Sequence, residues 1–492
     1  MDAVSALRMV NRIYARLNNR RDEIIRFEDY LLGKQPLTFA TKEWQAQNAA
    51  RYDTFADNWT APVVYAEAER IDYTGLNIPQ SNGVDAQMAR SSADMLHEWW
   101  LRNELDMQSA QGWVTTLTAR RTFVIVWADR DTQQPLVTWE HPSQVEIEYD
   151  FANPLKRVAA LKTWLDEDFE YATLYTPSEV WKFQRGRSLV KDDRESQAEQ
   201  ARSEQSADGG WRMREIAGQS WPLANPLGVV PVVEVPNRPP LKGDPLSEIQ
   251  GVVPMQDAIN LLWAYLFLAA DYASMPARVV LGSPPMIPIL DSDGKQTGVK
   301  PVDMKELSEK RLFYVDGDDP KIDSWEAARL DVFTDTIDVA VSHISSQTRT
   351  PPTYLVSKNG MSNVNAEGLK ASEIGLNKKV TDFEVFASPA MREVNRLIAL
   401  VLGETALADQ VRLAKVSWMN PEIRSEAQLA DSLTKKRSIG YPFAYLLELD
   451  GVGPLERERI LEMKRVEEAE MVDFGLQNAI ALDAAGPEGV GA

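Results

Sequence analysis

The sequence predicts an α+β chain, mainly helical, on three observations. Stretches with a 3.6-residue apolar period recur near the N-terminus and through the C-terminal part. Between them, residues 122–183 switch to short runs rich in Val, Ile, Thr and aromatic residues. Two strongly helical stretches, one following Ser247–Gln250 and ending before Pro276 and one at 324–348, then bracket a Pro-, Gly- and Asp-rich insert. At 492 residues the chain exceeds one compact core, so roughly two to four structural regions are expected.

Residues 4–32 read as an amphipathic helix with Leu7, Val10, Tyr14 and Leu17 on one face. "LLGKQPL" at 31–37 stops it, because Gly33 can cap a helix and Pro36 cannot continue one. Residues 85–118 are again helical, with Trp99, Trp100 and Trp113 as large apolar bodies. The strings "TFVIVWAD", "PLVTWEHPSQVEIEYD", "RVAALKTWLDE" and "YATLYTPSEVWKFQRG" are divided by Asp, Pro and Gly, as antiparallel strands with tight turns are. "VKDDRESQAEQARSEQSADGG" (190–210) holds almost no large apolar residue and is expected as a solvated hairpin tip or as disordered chain. "NPLGVVPVVEVPNRP" (225–239) resumes an extended course, its prolines allowing an edge strand or an irregular crossing.

Ser247 and Gln250 in "SEIQ" fit a capping box. In the helix that follows, Met255, Ile259, Leu262 and Leu266 make one apolar stripe, and Leu261, Tyr265, Leu268 and Tyr272 make another. Neighbours on two sides are therefore expected. It ends before Pro276, and 276–323 reads as a small β-containing unit with strand-like "ARVVLG" and "RLFYVDG". The stretch 324–348 gives a second helix with Leu330, Phe333, Ile337, Val341 and Ile344 on one face. At ~1.5 Å per residue it would be roughly 35 Å long, antiparallel to the first. "RTPPTYLVSKNGMSNVNAEGLKASE" (349–373) obeys neither period: Pro351 and Pro352 end the helix, and Gly360 lets the chain bend. A helix restarts near Asn365 with Leu369, Leu376, Val380 and Phe383 on one face, and a break is expected at Pro389. Two or three further helices fill 421–472, and the tail from about 476 is expected to be loose.

Composition narrows the function. With no cysteine, a disulfide framework, thiolate metal sites and thiol catalysis are excluded. The start, "MDAVSALRMVNRIYARLNNRR", lacks a signal-peptide core. The longest apolar run, "LLWAYLFLAA" at 261–270, falls short of the roughly 20 residues of a membrane span. A soluble protein made in the cytosol, with no membrane partner, is expected. The net charge is −20, the reverse of a protein that grips nucleic acid by its backbone. Solubility accounts for that charge; so does a surface past which an anionic polymer slides without sticking.

No phosphate-binding G-x-x-x-x-G-K-[ST] loop, G-x-S-x-G elbow or H-E-x-x-H pair is present. His97, His141 and His343 lie in unrelated contexts, and His343 reads as a packing or interface residue. "DSDGKQTG" (291–298) and "DGDD" (316–319) lack the spacing and terminal Glu of a calcium loop, and turn chemistry explains both. Asn58-Trp59-Thr60 matches a glycosylation sequon, which means little without secretion. No metal, cofactor or enzymatic activity is expected.

Several strings stand in a telling order: the N-terminal helix ending in "YLLGKQPL", "NWTAPVVYAEAERIDYTGLNI" (58–78), "WWLRNELD" (99–106), "VEIEYD" (145–150) and "LGVVPVVEVPNRP" (227–239). Together they resemble the portal proteins of tailed bacteriophages, in the branch typified by the portal of phage SPP1. The series closes with 349–379, where Asn365, Ala366, Glu367, Leu369 and Lys370 repeat the family pattern. One departure is "LTARRTFVIV" (117–126), where members more often carry a Gly before the strand.

The resemblance implies the portal fold: a wing (1–245, with a long helix at 366–418), two stem helices (246–275 and 324–350) and a clip (276–323). A tunnel loop (351–365), a C-terminal helical crown (419–475) and a flexible tail (476–492) complete it. It implies a homo-oligomeric ring, a dodecamer, at one capsid vertex, assembled in the host cytoplasm and carried in the virion. Such a ring conducts double-stranded DNA in packaging and ejection and connects head to tail, with no catalysis of its own. Its implied partners are the terminase motor, a head-completion or adaptor protein, and the major capsid and scaffold proteins. On that layout Ser357, Lys358, Asn359, Gly360, Ser362, Asn363 and Asn365 line the channel, with Lys358 as its one cation. Ile259, Leu262, Leu266, Phe333, Ile337 and Val341 pack the stem and its subunits. The alternatives are a non-portal virion structural or scaffold protein, or an enzyme with a dispersed active site.

Overall fold

The computed structural model describes residues 1–35, 55–79, 86–186, 210–216, 218–274, 278–281, 286–292, 294–301, 312–315, 321–324, 329–355, 366–422 and 426–484. Two compact units divide the chain: Met1–Glu28, Pro62–Gln250 and Asn365–Ala492 form one, and Asp29–Ala61 with Gly251–Val364 the other. The second unit thus takes in a piece of the N-terminal region alongside the helix pair and the insert.

Helix α1 (Ala3–Leu31) buries Ala6, Val10, Ile13, Leu17, Ile24 and Phe27 at helical spacing. It stops at Gly33, which takes φ 74°. The Gly33 N–H bonds the Tyr30 carbonyl at 3.2 Å and the Lys34 N–H bonds the Asp29 carbonyl at 2.7 Å, the paired bonds of a glycine-capped end. Then come α2 (Thr60–Ala68), β1 (Tyr73–Asn77), α3 (Ala86–Arg102) and α4 (Leu105–Ala119). The single helix expected over 85–118 is two, because Glu104 adopts a left-handed backbone, φ 53°, between them.

Antiparallel strands follow as the sequence predicts: β2 (Arg121–Ala128), β3 (Pro135–Glu140), β4 (Val145–Tyr149), β5 (Arg157–Leu165), β6 (Phe169–Tyr175) and β7 (Glu179–Gly186). The short β8 (Arg212–Met213) and β9 (Leu223–Ala224) pair with β7, and β10 (Val232–Pro236) pairs with β2. Most of 190–210 lies outside the described residues.

Alternation along β4 builds the core of this first unit. Val145 and Ile147 pack with Phe123, Ile125, Ala160, Val230 and Val232 between the β2 and β4 sheets. Strands β5–β7 turn Ala159, Leu161, Ala172, Leu174, Trp181 and Phe183 to α1. On β4 the residues between the apolar ones are Glu146 and Glu148. They meet arginines spaced four apart on α1: Arg12 reaches Glu148 at 2.8 Å, Arg16 lies 3.6 Å from Glu146, and Arg20 also contacts Glu146.

Helix α5 (Val253–Ser274) begins after a turn over 248–252. The expected capping box does not form, because 248–252 are turn and the helix begins only at Val253; the Ser247 hydroxyl donates to the Thr118 carbonyl at 2.6 Å and accepts from the Ile249 N–H at 3.4 Å. The insert holds β11 (Arg278–Leu281), β12 (Met286–Leu290), β13 (Gln296–Pro301), β14 (Leu312–Val315) and β15 (Lys321–Ser324). Strand β11 lies parallel to β14 and antiparallel to β15, and β12 and β13 form an antiparallel pair. Helix α6 (Asp331–Thr348) starts later than the expected 324, since 321–324 is already committed to β15. At ~1.5 Å per residue it spans about 27 Å rather than 35 Å.

The one-turn α7 (Pro352–Leu355) is followed by α8 (Ala366–Val401), which continues through Pro389 without a break. Next are α9 (Thr405–Val411), β16 (Lys415–Trp418), α10 (Glu426–Ser438), α11 (Phe443–Leu449) and α12 (Pro454–Ala484). The chain is therefore helical past 476, where its composition suggested a loose tail. Strand β16 returns to pair antiparallel with β1, Tyr73 opposite Trp418. Around that pair Trp100 stacks near Tyr73 at 4.4 Å, and Trp113 meets Trp418 at 5.8 Å and Phe383 at 5.7 Å.

Candidate functional site

Helices α5 and α6 lie against each other within the second unit. The Gln347 amide donates to the Gly251 carbonyl at 3.4 Å, which brings the end of α6 to the approach of α5, so the pair runs antiparallel. Ile259, Leu266, Ile337, Val341 and Ile344 are buried, whereas Leu262 and Phe333 are half-buried. The other stripe of α5 stays accessible in the single chain: Leu261 and Leu268 are half-buried and Tyr265 is 43% exposed. On α6 the exposed polar residues run from Asp331, Asp335 and Asp338 to Ser342, His343, Ser346 and Gln347, from acidic to neutral, with Val332 and Val339 exposed among them.

The exit from α6 is built by its last residues. Arg349 is left-handed, φ 56°, and the Thr350 N–H returns to the Ser345 carbonyl at 3.2 Å. The Ser345 hydroxyl donates to the Thr350 carbonyl at 2.7 Å. Pro352 then opens α7, a position that needs no backbone N–H, and Leu355 is buried. Ser357, Lys358, Asn359, Gly360, Ser362, Asn363 and Asn365 lie outside the described residues.

Sequence reasoning missed a third face of α5. Gln256 and Asn260, four residues apart and fully buried, hold segment 55–59 of the same unit, which has no regular secondary structure. Gln256 accepts from the Trp59 N–H at 2.8 Å. Asn260 accepts from the Asp57 N–H at 3.0 Å and donates to Gln35 at 2.6 Å. The Trp263 indole donates to the Asp57 carboxylate at 2.7 Å. Asn58 joins in: its side chain donates to the Leu31 carbonyl at 2.8 Å and accepts from the Thr60 hydroxyl at 2.6 Å. The Asn-Trp-Thr string therefore has a structural use. Two amides at helical spacing in a largely apolar helix were the available signal.

The first unit contains a buried ionic cluster with no sequence signal at all. Lys379 on α8 lies 2.7 Å from Glu67 and 2.6 Å from Glu248, and Arg238 also contacts Glu248. Asn237 donates to Glu248 at 2.7 Å. Burial, then repulsion from Glu248, pushes the Glu67 carboxyl up to about 7. Glu248 is lowered despite its burial, chiefly because Lys379 and Arg238 both face it. Elsewhere on α8, burial alone raises Glu384 to about 7, and its Oε1 has no hydrogen-bond partner among the described residues.

The histidines have separate surroundings. His141 lies against Glu28 and Ser143, His97 is half-buried and lowered by that burial, and His343 is exposed on α6. Among the described residues no group of three metal-ligating side chains converges, and no helix is long and apolar enough to cross a membrane.

The family model described as phage portal protein, SPP1 Gp6-like, matches residues 10–441. The portal protein of Mycobacterium phage L5 is 26% identical over 423 residues, and that of Mycobacterium phage D29 is 26% identical over 425. Each match covers 81% of this chain and 74% of the relative. The chain belongs to the SPP1 Gp6-like family of phage portal proteins, structural components of the virion.

Proposed function

We propose that identical copies of this chain close into a ring, a dodecamer, at one vertex of the capsid, and that its central hole conducts double-stranded DNA. Packaging, head–tail connection and ejection would all use that conduit. The family match across residues 10–441 carries the reading. The accessible stripe Leu261, Tyr265 and Leu268 supports it, because an apolar helix face left open in one subunit is covered when identical subunits pack side by side. Ile259, Leu262, Leu266, Phe333, Ile337 and Val341 would then hold the helix pair as the wall of the ring.

Residues 351–365 follow that wall and line the hole. Ser357, Asn359, Ser362, Asn363 and Asn365 offer neutral hydrogen bonds to a moving backbone, Gly360 lets the segment bend, and Lys358 makes a weak phosphate contact. The chain's net charge of −20 suits this task, since strong attraction to phosphates would arrest the duplex. A separate terminase supplies ATP hydrolysis and meets the clip, residues 276–323, as does the head-completion or adaptor protein later. Capsid and scaffold proteins hold the ring in the growing head. A variant shortened within 357–364 should still form rings but package or retain less DNA. Normal packaging by that variant contradicts the channel role.

A further inference from the structure

Lys435, Lys436 and Arg437 are the only three consecutive basic residues in the chain, and no acidic residue stands between Asp431 and Glu448. In a protein of net charge −20 that stretch is an exception. The three occupy the last turn of α10. Gly440, φ 100°, caps the turn: its N–H bonds the Arg437 carbonyl at 3.1 Å, and the Tyr441 N–H bonds the Lys436 carbonyl at 3.2 Å. The cap delivers Tyr441 beside the basic run, where Arg437 donates to the Tyr441 carbonyl at 3.0 Å. On α11, Tyr445 stacks with Tyr441, ring centroids 5.8 Å apart and planes 23° from parallel. Both rings are exposed, at 39% and 44%.

A cation near a helix C-terminus complements the dipole. That does not account for three in a row, nor for two aromatic rings held together in solvent next to them. Lys435 pairs with Asp431 at 2.7 Å, but both side chains are more than half exposed, so the pair yields readily to a phosphate. Among the described residues Lys436 makes no ion pair, and neither does Arg437.

We propose that Lys435, Lys436 and Arg437, with Tyr441 and Tyr445, form a contact for the sugar–phosphate backbone of duplex DNA. The cations neutralise adjacent phosphates, and the phenols add hydrogen bonds to phosphate oxygens, so the contact is independent of base sequence. Set in an acidic chain, it touches two or three phosphates at a time (on the order of that many, from the number of cations) and releases them readily. The choice of DNA as the polymer rests on the conduit reading; the basic patch itself does not.

The test is fluorescence anisotropy with a labelled duplex, from about 50 to 200 mM salt, on full-length wild type, the K435A/K436A/R437A variant and the milder K436Q/R437Q variant. Electron microscopy of each preparation accompanies it. Wild type should show a salt slope of about −2 to −3. The triple variant should bind about tenfold more weakly at the lowest salt, with its slope reduced by about 2 and its particles unchanged, and the double variant should fall between. Equal affinity and slope in wild type and variants, or no binding by wild type at low salt, overturns the proposal. So does polyglutamate bound as tightly as DNA and lost in the same variants, which would assign the patch to an acidic protein. Wild-type preparations without rings would count against the conduit reading and leave the anisotropy result standing on its own.

Discussion

Lys379 Nζ lies 2.7 Å from Glu67 Oε2, and the two side chains are only 3% and 0% exposed. Glu248 completes the arrangement at 2.6 Å from the same ammonium. Two buried carboxylates thus share one lysine, and Arg238 turns to Glu248 alone. Removing the lysine leaves Glu67 with no ion-pair contact, only the more distant Arg238, and Glu248 with one. Lys379→Met should cost about 3–5 kcal/mol of unfolding free energy, the usual penalty for breaking a buried ion pair. Urea denaturation measures it, and a loss below about 1 kcal/mol would show that the cluster is not what holds these segments together.

Glu384 offers a cleaner pH dependence, because burial is the sole cause of its shift. Its carboxyl rises from 4.5 to about 7 on folding. Between those values the folded chain holds a proton that the unfolded chain has released, so this group's contribution to stability falls as pH rises. Glu384→Gln is neutral throughout. The variant should therefore gain on wild type as pH climbs from about 4.5 to 7, by about 1–3 kcal/mol, and hold that advantage above. Parallel stability curves across this range would contradict the assignment.

Asn260→Leu is nearly isosteric but removes the acceptor for the Asp57 N–H and the donor to Gln35. Two buried polar groups lose their partner together. A loss of about 2–4 kcal/mol is expected, read as a lowered Tm. An unchanged Tm would mean that segment 55–59 is held by other contacts.

At Gly112 two effects oppose each other. In an open helix Gly→Ala stabilises by about 1 kcal/mol. Here a Cβ would fall 2.3 Å from the Trp139 ring, which packs edge-on against Trp113 and donates to the Thr122 hydroxyl at 2.8 Å. Overpacking should win, and Gly112→Ala should destabilise by about 1–3 kcal/mol. Adding Trp139→Leu should recover part of that loss; an additive double variant would place the cause elsewhere.

What the sequence disclosed was whatever repeats locally. The period of Leu7, Val10, Tyr14 and Leu17 marked α1, Gly33 marked its end, and runs rich in Val, Ile, Thr and aromatic residues marked the strands. Pairings across hundreds of residues left no local trace. Tyr73 opposite Trp418, and Glu67 beside Lys379, are set by the folded chain alone. The misread boundaries have physical causes too. Ser247 had the chemistry of a cap but precedes a turn over 248–252 rather than the helix, and residues 321–324 went to a strand before α6 could begin. Of the candidate site, the helix pair was legible from its apolar stripes, whereas the amides of Gln256 and Asn260 were hidden among them.

The central claim is that copies of this chain enclose a passage for a duplex. Cryo-electron microscopy of the purified, assembled protein tests it most directly. Closed rings whose paired long helices wall a hole wide enough for double-stranded DNA, with residues 351–365 facing that hole, are the predicted result. Open filaments, a lumen too narrow for a duplex, or those residues on the outer rim would contradict it.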